Sequence, residues 1–278
     1  MYNVLTKDIR VRDPYIVPYE GKYYLFGTTD SDPWNGPGEG FQAYVSENME
    51  NWEGPRYVFR PAPDFWGEKN FWAPEVHPYK GSWYIFASFI GSGRRRGTQI
   101  LKADSITGPY APISDGPLTP AEWECLDGTL HVDEEGNPWM VFCHEWVQIH
   151  DGEICAMPLS EDLREAIGEP VVLFRASEAP WEAWQDADHV TDGPFMFRGS
   201  DGHLKMIWSS FSKNGYAVGV ATSLTGSVLG PWEQSAEPAV EGGGHGMIFT
   251  DFEGKTWLTF HSPNESPEER MQLIPFEK

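Results

Sequence analysis

Residues 12–26, RDPYIVPYEGKYYLF, spell a short strand led by polar residues, a turn at Gly21 and a dense aromatic strand. The same order returns at Gly81 in YKGSWYIF, Gly136 in EEGNPWMVF, Gly202 in SDGHLKMIW and Gly254 in FEGKTWLTF. These glycines lie 60, 55, 66 and 52 residues apart, so the register drifts while the unit persists. Repetition at this period, with strand patterns in place of helical ones, predicts an all-β fold: a five-bladed β-propeller of four-stranded antiparallel blades around a central axis.

The segment ahead of each turn carries more than a scaffold requires. Six to ten residues before the five glycines stand Asp13, Glu75, Asp127, Asp192 and His245. Radially arranged blades bring those positions to one end of the axis. Asp-Pro and Asp-Gly dipeptides are ordinary turn formers when met singly. Turn chemistry gives no reason for an acid at the start of four units. The set therefore predicts a catalytic or sugar-binding centre.

The repeats consume nearly all of the 278 residues, which predicts one domain over 1–278. Aromatic residues make up 14% of the chain, with 13 Trp, enough for blade cores and a sugar-stacking pocket. A formal charge of −22 excludes a nucleic-acid partner, since phosphate binding needs clustered Lys and Arg. The one basic run, Arg94-Arg95-Arg96, falls in a Gly-rich turn and reads as a solvated hairpin tip. Cys125, Cys143 and Cys155 have neither metal-ligand nor disulfide spacing. With no secretory pattern at the N-terminus and no stretch long enough to span a membrane, an intracellular, cytoplasmic protein is expected.

Between the strands, NWEGP, ITGPY and VLGPW read as one Gly-Pro motif that closes blades. Helical signal is confined to one turn in SEDLREAIG. The joins PAPDFWGEKN and RASEAPWEAWQDADHV are the longest non-strand stretches, and they are placed at the pocket rim.

Acids projecting from separate blades suit hydrolysis of a glycosidic bond. One carboxylic acid protonates the leaving oxygen, and a carboxylate on the opposite face activates water; in the inverting version the two stand roughly 6.5–9.5 Å apart. Crowded like charges raise one pKa and keep that acid protonated near neutral pH. Trp72 and Phe71 are candidates for stacking on a sugar face, and Glu75 and Glu145 for accepting sugar hydroxyls. Arg270, after the fifth unit, is a candidate for reaching a hydroxyl.

RDPYIVPYEGKYYLF, FWAPEVHPYKGSWYIF, LDGTLHVDEEGNPWMVF, TDGPFMFR and GGHGMIF, taken in order, resemble the blade starts of glycoside hydrolase family 43. The resemblance covers essentially the whole chain. It implies an inverting glycosidase of the β-xylosidase, α-L-arabinofuranosidase or arabinanase group, releasing terminal pentose residues from oligo- or polysaccharides. By it, Asp13 matches the general base, and Asp127 the aspartate that tunes and orients the acid. Asp192 stands where the family usually has a glutamate as general acid. That glutamate is longer by one methylene, about 1.5 Å on ordinary bond geometry. His245 matches an axial histidine near a metal ion or water in the central channel, with calcium the candidate ion; no cofactor is implied for the chemistry. Two alternatives stay open. A non-catalytic carbohydrate-binding propeller would share the aromatic pocket, and a propeller phosphorylase would need cations to hold phosphate.

Overall fold

The structure is a computed structural model that describes residues 2–183 and 188–277. Five antiparallel sheets follow one another along the chain. Blade one holds Arg12–Tyr19, Lys22–Thr28, Phe41–Ser46 and Asn51–Phe59, and Tyr2–Leu5 pairs along its outer edge. Blade two holds Lys69–Tyr79, Ser82–Gly91, Arg94–Ala103 and Ala111–Pro112. Blade three holds Cys125–Val132, Pro138–His144, Glu153–Pro158 and Val171–Arg175. Blade four holds Asp192–Arg198, Leu204–Ser212, Gly215–Ser223 and Trp232–Gln234, with Val240–Glu241 also on its third strand. Blade five holds Gly244–Thr250, Thr256–Ser262 and Arg270–Pro275. Among the described residues, then, four strands hold for blades two and three, while blades one and four gain an edge strand and blade five has three.

First strands of neighbouring blades pack side by side, and blade five packs on blade one, so the sheets form a closed ring. The closure is ionic as well as apolar. Arg10 bridges to Arg270, and the Arg10 and Arg12 guanidinium groups reach Glu269 at 3.2 and 3.1 Å. Burial opposes the Glu269 charge, but the Ser266 hydroxyl and the two arginines hold its carboxyl down at about 2. Arg270 serves this seam. Its Nε donates to the Lys7 carbonyl, and its Nη1 to those of Pro267 and Glu269, so its guanidinium is engaged at the seam, which does not support the expected sugar contact.

Large flat side chains fill the spaces between blades. Phe71 is 1% exposed, 4.8 Å from Phe89 and 5.9 Å from Phe41 between ring centroids. Burying such a ring stabilises the fold by about 1.5–3 kcal/mol. Phe71 is a core residue and not a sugar platform, because Gly38 presses its backbone onto the ring and leaves no face open. The segment SEDLREAIG forms turns and a Leu159–Ala166 bridge; the α-helix among the described residues is Trp146–Ile149.

Each first strand bulges near its start. Register shifts fall between Arg12 and Tyr15, Trp72 and Glu75, Leu126 and Thr129, Asp192 and Phe195, and Gly244 and Met247. The bulged residues are Asp13, Ala73, Asp127, Gly193 and His245, with φ of 52, 45, 54, 50 and 49°. For the four that are not glycine this left-handed geometry costs about 1–3 kcal/mol each, which the flanking ladders must hold. The bulge corrects the alignment of the repeats. Asp13, Asp127 and His245 are equivalent, but Asp192 sits one place earlier, with Arg12, Trp72, Leu126 and Gly244. Glu75 sits two places later, with Tyr15, Thr129, Phe195 and Met247.

The N–H of a bulged residue is satisfied from the preceding blade. Ala73 donates to Thr28 Oγ1, Asp127 to Ser88 Oγ and His245 to Ser209 Oγ, at 2.8–2.9 Å; Asp13 donates to His261 Nδ1 at 3.2 Å. Blade three has Cys143 at the corresponding place, opposite Leu126. A thiol is a weak acceptor. The Gly193 N–H goes instead to Asp127 Oδ2, at 3.0 Å.

Candidate active site

The bulges deliver their side chains to a cavity of about 260 Å³ at one end of the axis, lined by Asp13, Asp127, Asp192, His245, Trp72 and Glu145. Arg12, Thr28, Trp34, Trp146, Tyr216 and Asn264 complete much of its wall. A larger groove, about 560 Å³, opens at the far hairpin ends of blades three and four beside His131, Trp139 and Arg198. It holds none of the converging blade-start carboxyls, which belong to the axial cavity.

Asp13 is built to be an anion. Its Oδ2 accepts from the Thr28 hydroxyl at 2.6 Å, and His245 Nδ1 lies 3.3 Å from Oδ1. Burial works against ionisation, yet His245, His261, Arg12 and Thr28 together bring its pKa below the usual carboxylate value. An ionised carboxylate at the cavity wall is what a general base requires.

Asp127 and Asp192 are pushed the other way. Burial raises both, and Asp127 is raised further by Asp192 and Asp13; His245 opposes the shift in each. Each carboxyl of the pair therefore holds a proton more tightly than an isolated one would. Asp127 also reaches both sides of the site. Its Oδ2 lies 3.6 Å from His245 Nδ1 and accepts the N–H of Gly193, the residue after Asp192. Through that bond it fixes the backbone that carries Asp192. Gly193 cannot be larger, because a Cβ there would meet the His245 ring at 2.6 Å.

His245 sits among these acids. Burial disfavours its charge, but Asp13, Asp127, Asp192 and Glu75 overcome that and raise its pKa. Its Nδ1 faces two carboxylates. Among the described residues no group of three or more His, Cys, Asp or Glu side chains is arranged to hold a metal ion, so no step below is routed through one.

Glu75 lies beneath the cavity and does not line it. Its Oε2 accepts from Thr129 Oγ1 and sits 3.2 Å from His77 Nε2, while Tyr15 OH lies 3.4 Å from His77 Nδ1. Its place two residues past the bulge sends the side chain into this second layer, so the expected sugar contact is not supported. Glu145 does line the cavity. It pairs with Arg96, whose guanidinium also contacts Asn70 and lies 4.5 Å from the Trp72 ring. The basic run is thus no solvated tip throughout. Arg94–Ala103 is a strand, and Arg96 points inward with only 13% of its side chain exposed.

Sequence reasoning missed Arg12, Thr28, Trp34, Tyr216, His261 and Asn264. Arg12 had a signal, since it precedes a bulge as Asp192 does. Trp34 stands in the Pro- and Gly-rich loop after blade one's second strand, 49% exposed at the cavity mouth. Tyr216 and Asn264 lie on a third strand and a closing loop that carry no repeat signature. The rim join RASEAPWEAWQDADHV includes residues 184–187, which lie outside the described residues.

Fold and site together define a propeller glycosidase: acids from three blades, one with its pKa lowered and two with theirs raised, around a small aromatic cavity. The sequence profile described as Glycosyl hydrolases family 43 matches residues 4–274. A solved endo-arabinase from Bacteroides thetaiotaomicron VPI-5482 is 40% identical, with 100% of this chain and 98% of that one covered and a TM-score of 0.92. A solved endo-1,4-beta-xylanase from the same organism is 26% identical over 96% of this chain and 91% of that one, with a TM-score of 0.80. The extracellular endo-alpha-(1->5)-L-arabinanase 1 of Bacillus subtilis is 21% identical over 84% of this chain and 71% of its own length. This chain belongs to glycoside hydrolase family 43.

Proposed function

We propose that the protein hydrolyses α-L-arabinofuranosyl linkages of arabinan-type chains by single displacement, with Asp13 as base and Asp192 as acid. The observation that carries the mechanism is the opposed electrostatic setting of acids on one cavity wall: against burial, His245, His261, Arg12 and Thr28 bring the Asp13 pKa down, whereas burial brings the Asp192 pKa up. Water attacks the anomeric carbon as Asp13 takes its proton. The glycosidic C–O bond breaks as Asp192 gives its proton to the leaving oxygen, and solvent resets both groups. Asp127 acts through position and charge, holding the Gly193 backbone and keeping the Asp192 proton in place. The 40% identity to an endo-arabinase over both chains supports arabinan ahead of xylan.

A cavity of about 260 Å³ lies below the usual range for drug-sized ligands, roughly 300–1,000 Å³, which favours one terminal pentose. Internal cleavage is the second reading, favoured by the names of the two arabinan-degrading relatives. Product analysis on linear α-1,5-arabinan separates them. Arabinose released with little loss of viscosity supports terminal action, an early fall in viscosity supports internal action, and no release from arabinan overturns the substrate class. The intracellular expectation is not carried further: the Bacillus subtilis relative is named extracellular, and no helix among the described residues is long and apolar enough to cross a membrane.

A further inference from the structure

We infer that Tyr216 is the positioning residue for the proton donor: its hydroxyl fixes Asp192 Oδ2, which leaves Oδ1 to carry the proton toward the leaving group. This rests on the reading of Asp192 as the acid. Tyr216 lies on blade four's third strand, buried, with its OH 2.8 Å from Asp192 Oδ2. Burial and the neighbouring Asp192 and Asp13 push its own pKa well up, so it keeps its proton and always donates.

The ring is held as firmly as the hydroxyl. It lies 5.7 Å from the His261 ring at 30°, and His261 Nδ1 receives the Asp13 N–H. It also fills the space where Gly244 has no side chain; a Cβ there would meet Tyr216 Cε1 at 2.4 Å. One side chain therefore touches the acid with its hydroxyl and the support of the base with its ring. An aspartate has one methylene fewer than a glutamate, so it has less freedom to search for its target, and an error near 1 Å in the reacting geometry is expensive. A fixed hydroxyl supplies what the shorter side chain lacks.

Several charged groups act on Asp192, and the test must separate them: Asp13 and Arg12 from blade one, Asp127 and Glu145 from blade three, His245 from blade five. Tyr216→Phe removes one donor and no charge. The Asp192 anion then loses stabilisation, so the alkaline limb of kcat/KM should move up by about one pH unit. The acidic limb, set by Asp13, should stay. Cleavage of arabino-oligosaccharides should fall about 10- to 100-fold, the scale of a hydrogen bond to a charged group, with less effect on nitrophenyl arabinofuranoside, whose leaving group needs little protonation. Gly244→Ala is the second variant. Its φ is not in the left-handed region, so its chief consequence is to push the ring, and it should lose natural-substrate activity in the same selective way.

Asp192→Asn is run alongside. If it harms both substrate types equally, Asp192 is not the acid and the inference falls with that reading. If Asp192→Asn shows the leaving-group dependence while Tyr216→Phe leaves the alkaline limb in place and lowers both substrates equally, the inference alone is overturned.

Discussion

Two layers of polar residues cross the axis of this propeller, built by the same first strands and differing only in distance from the bulge. At the mouth, Asp13, Asp127, Asp192 and His245 crowd around a cavity with more acids than bases. Beneath it, Glu75, His77, Thr129 and Tyr15 contact one another in a closed set. Both layers are buried and both contain a carboxyl and a histidine. What separates them is the backbone. A left-handed residue at the bulge of each first strand aims three ionisable side chains into the opening, whereas two residues later regular pairing resumes and the side chain finds protein partners. Burial of charge is not by itself a sign of catalysis. The informative sign is a charge left partly unmatched at a wall where substrate can supply the match.

The sharpest break between the layers is functional. Asp13→Asn removes the base and should lower turnover by about 10²- to 10⁴-fold with little change in melting temperature. Glu75→Gln should do the reverse, destabilising the fold while the remaining folded protein turns over at a near-normal rate. Kinetics and thermal melts on both variants check this. A dead but fully stable Glu75→Gln would merge the layers.

Arg96 and Arg270 test the same contrast at the rim. Arg96→Gln leaves Glu145 buried and unpaired beside Trp72, which typically costs about 3–5 kcal/mol, and should raise KM as well. Arg270→Ala removes hydrogen bonds at the seam and should cost about 1 kcal/mol with KM unchanged. Michaelis constants together with denaturant melts read both. A raised KM in Arg270→Ala would return that residue to the substrate.

Stability against pH is the gentlest probe. His261 has its pKa lowered to about 4 by burial, with Arg12 and His245 reinforcing this against Asp13 and Asn264. Below its ordinary value of 6.5 the unfolded chain takes a proton that the folded one refuses, so this stabilisation fades as pH falls from 6.5 to 4. Glu269 adds a second loss as pH falls from 4.5 to 2. His245 runs oppositely, its contribution being lost as pH rises through its raised folded value. Asp127, raised to about 8, and Asp30, raised to about 6, run against these losses and gain stability as pH falls toward 3.8, so the test is a difference: between pH 6.5 and 4, His261→Asn should lose less melting temperature on acidification than the parent does. An unchanged slope in that variant would place the titration elsewhere.

The sequence made the propeller legible because turn glycines and aromatic strands repeat, and each follows from local rules of chain geometry. It also made Asp13, Asp127 and His245 legible, since these share the bulge. It blurred Asp192 and Glu75, because an acid one place before the bulge and another two places after look equivalent when only spacing to the turn is counted. A one-residue shift changes which way a strand side chain points. Phe71 and Arg270 were misplaced for a related reason: an aromatic in a blade core and an arginine at the ring seam have the composition of a sugar site without its position. Tyr216 was invisible. Its partner is 24 residues away, on a contact that exists only once the blade has formed.

The configuration of the first-formed sugar tests the central claim most directly. Asp13 as base on water and Asp192 as acid require a single displacement, so proton NMR during the first turnovers on an α-L-arabinofuranosyl substrate should show the β-anomer appearing before mutarotation. First appearance of the α-anomer would demand a covalent intermediate and a carboxylate nucleophile, and would contradict the account.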